Sequence, residues 1–355
     1  MAARTRRFRA PGRVNLIGAH VDYHEGPVVA MAIDHEVVVT MRPRDDRRVV
    51  VRSDATAGTV VVASDGSDDP AGVAPAWGRL VGGAVRALVE SDRPPSGADL
   101  RVVSTLTIGG GLSSSAAFEV AVVLALAATA GHELSGLALA LAAQRAEHLG
   151  SGVPCGIQDQ MAAVVGGTFL LDCRTLAVES LPLPDDLAVV VVDSGVSRTL
   201  DASPWATRRA ETFAAAEALG LRVLRDARPD EVARSPRARH VVDEMARVRA
   251  YAAALRAADR AALGTLMLRS HAGSRDDMES SIAELDTLVD CLMEAGAIGA
   301  RLTGGGFGGC CVALAPTDRA DRVARDAASA YAARTGRRAR PMVVGPAPGA
   351  GELVG

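Results

Sequence analysis

Three features of the 355-residue sequence predict an α+β fold in two lobes. Runs of β-branched residues, bounded by charges and glycine, crowd the first third of the chain. From Pro204 onward the sequence turns rich in Ala and Arg and reads as helix. Strands and helices do not alternate regularly, as a βαβ fold would require. The change of character falls near residues 180–190 and divides the chain into lobes 1–185 and 186–355, a length that suits one large domain or two ordinary ones.

The segments "VVAMAIDHEVVVTM", "RRVVVRS" and "GTVVVAS" each read as a strand. A helix is expected over 77–90, and "ADLRVVSTLTI" is a further strand. That strand runs into "GGGLSSSAAFEVAVVLALAATAG", a Gly-Ser turn opening an apolar helix. Helices over 137–149 and 157–165 precede the strands "GTFLLDCRT" and "LAVVVVDSG". In the helical second half, "GARLTGGGFGGCCVALAP" is a glycine loop between strand-like segments. No internal repeat or long low-complexity linker is visible.

Composition excludes several functions. A net charge of -3 and 3% aromatic residues leave neither the basic footprint nor the stacking surface of a nucleic-acid binder. The chain contains no lysine, so a Schiff-base lysine and a Walker-A lysine are both impossible. The five cysteines form no CxxC pair, which suits a reduced, cytoplasmic protein. The basic start "MAARTRRFRAPGR" lacks an apolar region after it, so it does not read as a secretory signal. The longest apolar run, around 120–128, is too short to span a bilayer.

Three stretches carry candidate chemistry. In "IGGGLSSSAA", residues 108–117, Gly109, Gly110 and Gly111 let backbone N–H groups approach a ligand. Leu112 follows, and Ser113, Ser114 and Ser115 open a helix whose positive end favours an anion. This is a phosphate cradle without a lysine; the alternative is an ordinary turn with a serine cap. "LTGGGFGG", residues 302–309, is a second glycine loop, or else a tight hairpin. "AEHLGSGVPCGIQDQM" holds Glu147 and, twelve positions on, Asp159. Glu147 with the Ser115 hydroxyl suits Mg²⁺, and Asp159 could accept a proton from an attacking hydroxyl. Exposed helix charges are the alternative for both carboxylates.

Together "GRVNLIGAHVDY", "GGGLSSSAA", "CGIQDQ" and "LTGGGFGGC" resemble the galactokinases among the GHMP small-molecule kinases, in the right order from residue 12 to residue 310. The resemblance implies the two-lobed GHMP kinase fold, with ATP and Mg²⁺ near the Gly-Ser turn and a sugar against the first motif, in a cleft between the lobes. Arg13 and Asp159 match the family's catalytic pair, and Ser115 and Glu147 its magnesium ligands. His20, Asp22 and Gly156 match sugar contacts. Trp77 falls where the family has a Trp beside the nucleotide base, though a core aromatic is equally consistent. Trp205 replaces a family Tyr that contacts the sugar. The expected partners are therefore sugar and ATP, in a monomer or homodimer.

Position 19 departs from the family pattern. Galactokinases typically read "GEHTDY", whereas this chain reads "GAHVDY". Ala19 removes a carboxylate on the carbon-6 side of the sugar. The galacturonokinases of plants are similar in having Ala there. A uronic acid would repel a Glu, and a chain-extended sugar such as a heptose or octose would need the room. Drift at this position, with galactose as substrate, is the alternative. Other GHMP substrates lack the combination of "GRVNLIG" with "HVDY". A non-catalytic sugar and ATP sensor is set against the retention of both Arg13 and Asp159.

Overall fold

The computed structural model describes residues 5–197 and 204–353, so the first four residues of the basic start lie outside it. Twelve strands and ten α-helices are assigned among these residues. The first half holds strands β1 (Arg6–Ile17), β2 (Pro27–Arg44), β3 (Arg48–Ser53), β4 (Thr59–Ala63) and β5 (Gly97–Ser104), with helix α1 (Gly78–Glu90) between β4 and β5. Helices α2 (Ser114–Thr129), α3 (Gly136–Ser151) and α4 (Gln158–Val165) follow, then strands β6 (Thr168–Asp172), β7 (Val178–Ser180) and β8 (Leu187–Asp193). Five helices come next: α5 (Pro204–Ala218), α6 (Pro229–Val232), α7 (Pro236–Arg256), α8 (Arg260–Ala272) and α9 (Ala283–Glu294). Strands β9 (Gly299–Leu302) and β10 (Cys310–Pro316), helix α10 (Ala320–Thr335), and strands β11 (Arg340–Val344) and β12 (Gly351–Glu352) complete the order.

The strands form two sheets. The first runs β12-β1-β2-β5-β3-β4, with β6 beside β2 and β7 beside β6. The second runs β11-β8-β10-β9, antiparallel throughout. β8 opens the second sheet two residues after the expected lobe boundary, while β12 carries the chain back to pair with β1. Helix α7 also packs on β1 and β2, so the second half contributes directly to the first sheet's surroundings.

Burial explains the patterns. The "VVVV" of β8 is apolar on both sides: Val189 and Val191 join the core against the first sheet, and Val190 and Val192 pack with α9 and α10. A strand covered on both faces has no reason to alternate. Helix α2 is apolar nearly all round because it lies between the first sheet and α3. All five cysteines are free thiols. No helix among the described residues is long and apolar enough to cross a membrane.

β1 is the strand the sequence conceals. Its "RRFRAPGRVNLI" carries Pro, Gly and polar residues in place of a β-branched run, yet it pairs with β2 over most of its length. The register shifts between Pro11 and Arg13 and again between Asn15 and Ile17. Such bulges bend a strand and re-aim a side chain. A Cβ on Gly12 would lie 2.8 Å from the carbonyl oxygen of Leu112, so only glycine lets β1 approach the Gly-Ser turn this closely. The Arg13 amide then donates to that same carbonyl at 3.1 Å.

Candidate active site

A cleft of ≈ 600 Å³ collects side chains from β1, the Gly-Ser turn, α3, α4, the start of α5 and the second glycine loop. Its size is typical of small-molecule sites. Arg13, Ala19, His20, Asp22, Trp77, Gly109, Gly111, Ser113, Ser114, Ser115, Glu147, Gly156, Asp159 and Trp205 all line it. Two expected residues do not. Leu112 turns its side chain into the core, because its carbonyl must face Arg13. Gly110 is buried behind the turn, where its carbonyl faces the backbone of Gly309.

At the centre, Arg13 grips Asp159 with two parallel bonds, Nε to Oδ1 and Nη2 to Oδ2, each 2.8 Å. Its Nη1 donates to the carbonyl of Gly111 at 2.7 Å. Arg13 is buried, and with three acceptors engaged its planar fork has one orientation. The residues lie 146 positions apart and meet because β1 and the first turn of α4 converge. Asp159 also accepts from the Ser113 hydroxyl at 2.6 Å.

That last bond leaves the start of α2 without a side-chain cap. Ser113 is the N-cap residue of α2, in the left-handed region at φ 59, but its hydroxyl makes no cap bond. It is committed to Asp159 instead, so no side chain competes for the amides at this helix end. An uncapped helix N-terminus facing a cleft suits an anion. The second glycine loop does connect two paired strands, β9 and β10, as a hairpin would. It is nevertheless part of the cleft, through Gly304 and Gly305. Thr303 ties it to the first motif, since its hydroxyl accepts from the Asn15 amide at 3.0 Å.

One end of the cleft is apolar. Trp77, Leu80, Val37, Val102 and Phe118 line it, and Trp77 meets Phe118 edge-on with centroids 6.2 Å apart. Trp77 is partly exposed, donates Nε1 to the carbonyl of Ala57, and both lines the cleft and packs against the core. The opposite end is polar. His20 Nδ1 lies 2.8 Å from the Tyr23 hydroxyl. Trp205 stands edge-on to the Tyr23 ring at 5.9 Å and supplies an apolar wall. Asp22 abuts Gly156 so closely that a Cβ there would lie 2.0 Å from Asp22 Oδ2. Burial, and then the charge of Asp159, push the Asp22 carboxyl up to about 6.

Glu147 is 6% exposed on α3. Near it on α2 lies Glu119, fully buried, with neither carboxylate oxygen bonded to a protein donor. Burial first, and the charge of Glu147 second, push the Glu119 carboxyl well above its usual range. A lone charge in "AAFEVAVV" is the signal that marks Glu119 in the sequence. Glu244 and His240 of α7, both fully buried beneath Gly18 and Ala19, carry no comparable motif.

Comparison with known proteins agrees with this geometry. The GHMP kinases N terminal domain model matches residues 79–167, and the GHMP kinases C terminal model matches 251–333. The galactokinase galactose-binding signature matches residues 2–43. A galactokinase of Chloroflexus aurantiacus is 42% identical over 362 residues, covering 96% of this chain and 91% of that protein. A galactokinase of a Roseiflexus species is also 42% identical, covering 98% and 92%. The structure of Lactococcus lactis galactokinase complexed with galactose superposes with a TM-score of 0.92 at 30% identity, covering 98% of this chain and 95% of that one.

Proposed function

We propose that this chain, a sugar kinase belonging to the galactokinase family of the GHMP kinases, phosphorylates the anomeric hydroxyl of a galactose-like sugar altered at carbon 6. ATP is the phosphoryl donor, and the product is the sugar 1-phosphate. The observation that carries the chemistry is the Arg13–Asp159 pair in the cleft. Phosphoryl transfer asks a protein for positioning and for charge near the transferring group. Asp159 can orient the attacking hydroxyl and receive its proton, while the locked Arg13 offers positive charge beside it. The uncapped end of α2 suits the phosphates, and the apolar end around Trp77 suits a flat base. His20, Asp22 and the backbone of Gly156 suit the hydroxyls of a sugar.

The residues present fit Mg²⁺. Glu147 and Ser115 offer a hard carboxylate and a hydroxyl at the cleft. Mg²⁺ commonly takes one or two protein ligands and completes its shell with phosphate and water. When bound, Mg²⁺ neutralises phosphate charge. Glu147→Gln should therefore raise the Mg²⁺ concentration giving half-maximal activity by about tenfold or more, since an amide is a poorer ligand. Titrating activity against Mg²⁺ checks this, and an unchanged titration removes Glu147 from the metal site.

The alteration at carbon 6 rests on Ala19, which lines the cleft beside His20 and Asp22 at the position where galactokinases typically carry a Glu. The names of the relatives favour plain galactose as the rival. Sugar-dependent ADP release with galactose, uronic acids, heptoses and octoses separates the two. Higher kcat/KM on galactose than on every altered sugar would remove the proposal.

A pH dependence also follows. Only the ionised Asp22 can accept from sugar hydroxyls through both oxygens without donating. With its carboxyl at about 6, that form is lost as pH falls through this value. The sugar kcat/KM should fall below about pH 6, and Asp22→Asn should lack this limb while sitting on a lower plateau. Profiles over about pH 5–8 test it; a limb that persists in Asp22→Asn belongs to another group.

A further inference from the structure

The loop that carries Ala19 is held from beneath by a helix of the other half of the chain. Glu244 of α7 is fully buried. Its Oε1 accepts from the backbone amides of Gly18 at 2.9 Å and Ala19 at 3.1 Å, and from the Ser270 hydroxyl at 2.5 Å. Successive amides converging on one carboxylate oxygen form an anion-binding nest, here filled by the protein's own side chain. One turn earlier on α7, His240 is also fully buried, and its Nε2 lies 3.1 Å from the carbonyl of Ala19. A carbonyl only accepts, so Nε2 bears the proton of this bond; burial lowers the His240 pKa, which favours the neutral ring. Both polar groups of the Ala19 backbone are thus bonded to α7.

The held segment is one that would not keep its shape unaided. Gly18 has φ 107 and His20 has φ 62, so left-handed residues flank Ala19 on both sides. His20 in that region costs energy and needs its surroundings to fix it. The Glu244 charge is itself supported: Arg247 Nε donates to Oε2 at 2.6 Å, and Arg301 Nη2 lies 3.9 Å from Oε1. Arg301 in turn donates to the backbone and side-chain oxygens of Asn15, each at 3.2 Å. The Asn15 Nδ2 donates to the Gly18 carbonyl at 3.2 Å and to Gln158 Oε1 at 3.0 Å, one residue before Asp159.

We propose that Glu244 and His240 are positioning residues for the sugar: by clamping the Ala19 backbone to α7, they fix where the side chains of residues 19, 20 and 22 stand in the cleft. The inference rests on the reading that the sugar lies against these three residues. Neither α7 residue lines the cleft itself, so their effect passes through the loop.

The test compares full-length wild type with Glu244→Gln, His240→Leu and His240→Gln. Glu244→Gln keeps an acceptor but withdraws the charge facing Arg247 and Arg301. His240→Leu fills the site with an apolar side chain and removes the one donor to the Ala19 carbonyl. His240→Leu should raise the sugar KM about tenfold or more while the ATP KM stays within about twofold, and His240→Gln, which keeps a donor, should recover most of the loss. Hydrogen exchange of the Gly18 and Ala19 amides gives a readout independent of turnover. Exchange should accelerate about tenfold or more in Glu244→Gln and His240→Leu relative to wild type. Folded variants with unchanged sugar KM and unchanged exchange overturn the proposal, as does an equal rise in both KM values. If wild type turns over no sugar at all, the functional reading falls, and exchange alone then decides whether the clamp exists.

Discussion

Asp159→Asn lowers kcat by about 10²–10⁴-fold, the range lost with a general base, and leaves sugar affinity largely intact. The asparagine is nearly isosteric, so Ser113 and one arm of Arg13 can still bond to it. What it loses is the charge that answers Arg13 and the capacity to take up a proton. Two accounts of Asp159 predict different remainders. If it receives the proton of the attacking hydroxyl, the loss lies at the upper end of that range. If it chiefly orients the hydroxyl while Arg13 stabilises the transferring group, the amide oxygen still orients and the loss lies at the lower end. Steady-state kinetics with a separate sugar-binding measurement reads both quantities. Near-normal turnover in Asp159→Asn sinks both accounts.

Ala19→Glu gives the other large effect. With a uronic acid as substrate, the new carboxylate stands near the sugar's own carboxylate in a partly enclosed cleft. At about 4 Å and an effective dielectric of about 20, their repulsion is roughly 4 kcal/mol, about a thousandfold in kcat/KM. Activity on galactose should rise in the same variant, because an acceptor is restored. The loop resists relieving this by moving, since its amides and carbonyl are bonded to Glu244 and His240. Ala19→Gln separates charge from size. It should be mild for a uronic acid and nearly as damaging as Ala19→Glu for a chain-extended sugar. Wild-type preference for galactose, unaltered in both variants, would make position 19 drift.

Most of the fold was legible because its strands are β-branched and its helices begin at recognisable turns. The runs over β2 to β6 and β8 fall where the sequence puts them, and the Gly-Ser turn opens α2 as expected. β1 was not legible as a strand, because Pro11, Gly12 and Asn15 break the pattern that pairing with β2 later imposes. β7 and β12 are very short, and β7, β11 and β12 all lie at sheet edges, where few side chains need to be apolar. In the site, residue types pointed to phosphate and carboxylate chemistry, but the meeting of Arg13 with Asp159 depends on how β1 and α4 cross. Only the resemblance to a family suggested it beforehand. Glu244 and His240 were hidden differently. They share the helix face of Val241, Met245 and Val248, a face whose apolar members are all buried. A polar residue on such a face is the signal that could have found them.

The pairing of β12 with β1 bears on how the chain acquires its shape. Arg6 of β1 holds Glu352 of β12 through two hydrogen bonds, 2.8 and 2.7 Å, across a sequence separation of 346. β1 is made early, yet its outer edge stays open until that distant segment arrives. At about 5–20 residues per second, a ribosome needs roughly 20–70 s to add the intervening chain. Throughout that interval the stretch of β1 around Phe8 and Arg9 lacks its β12 partner, and an open edge of this kind is a template for wrong pairing. The arginines of "RRFR" at its head place charge along that open edge, a recognised deterrent to wrong pairing, before Glu352 comes to neutralise one of them. The same residues thus serve the chain twice, first as a guard during synthesis and afterwards as a latch.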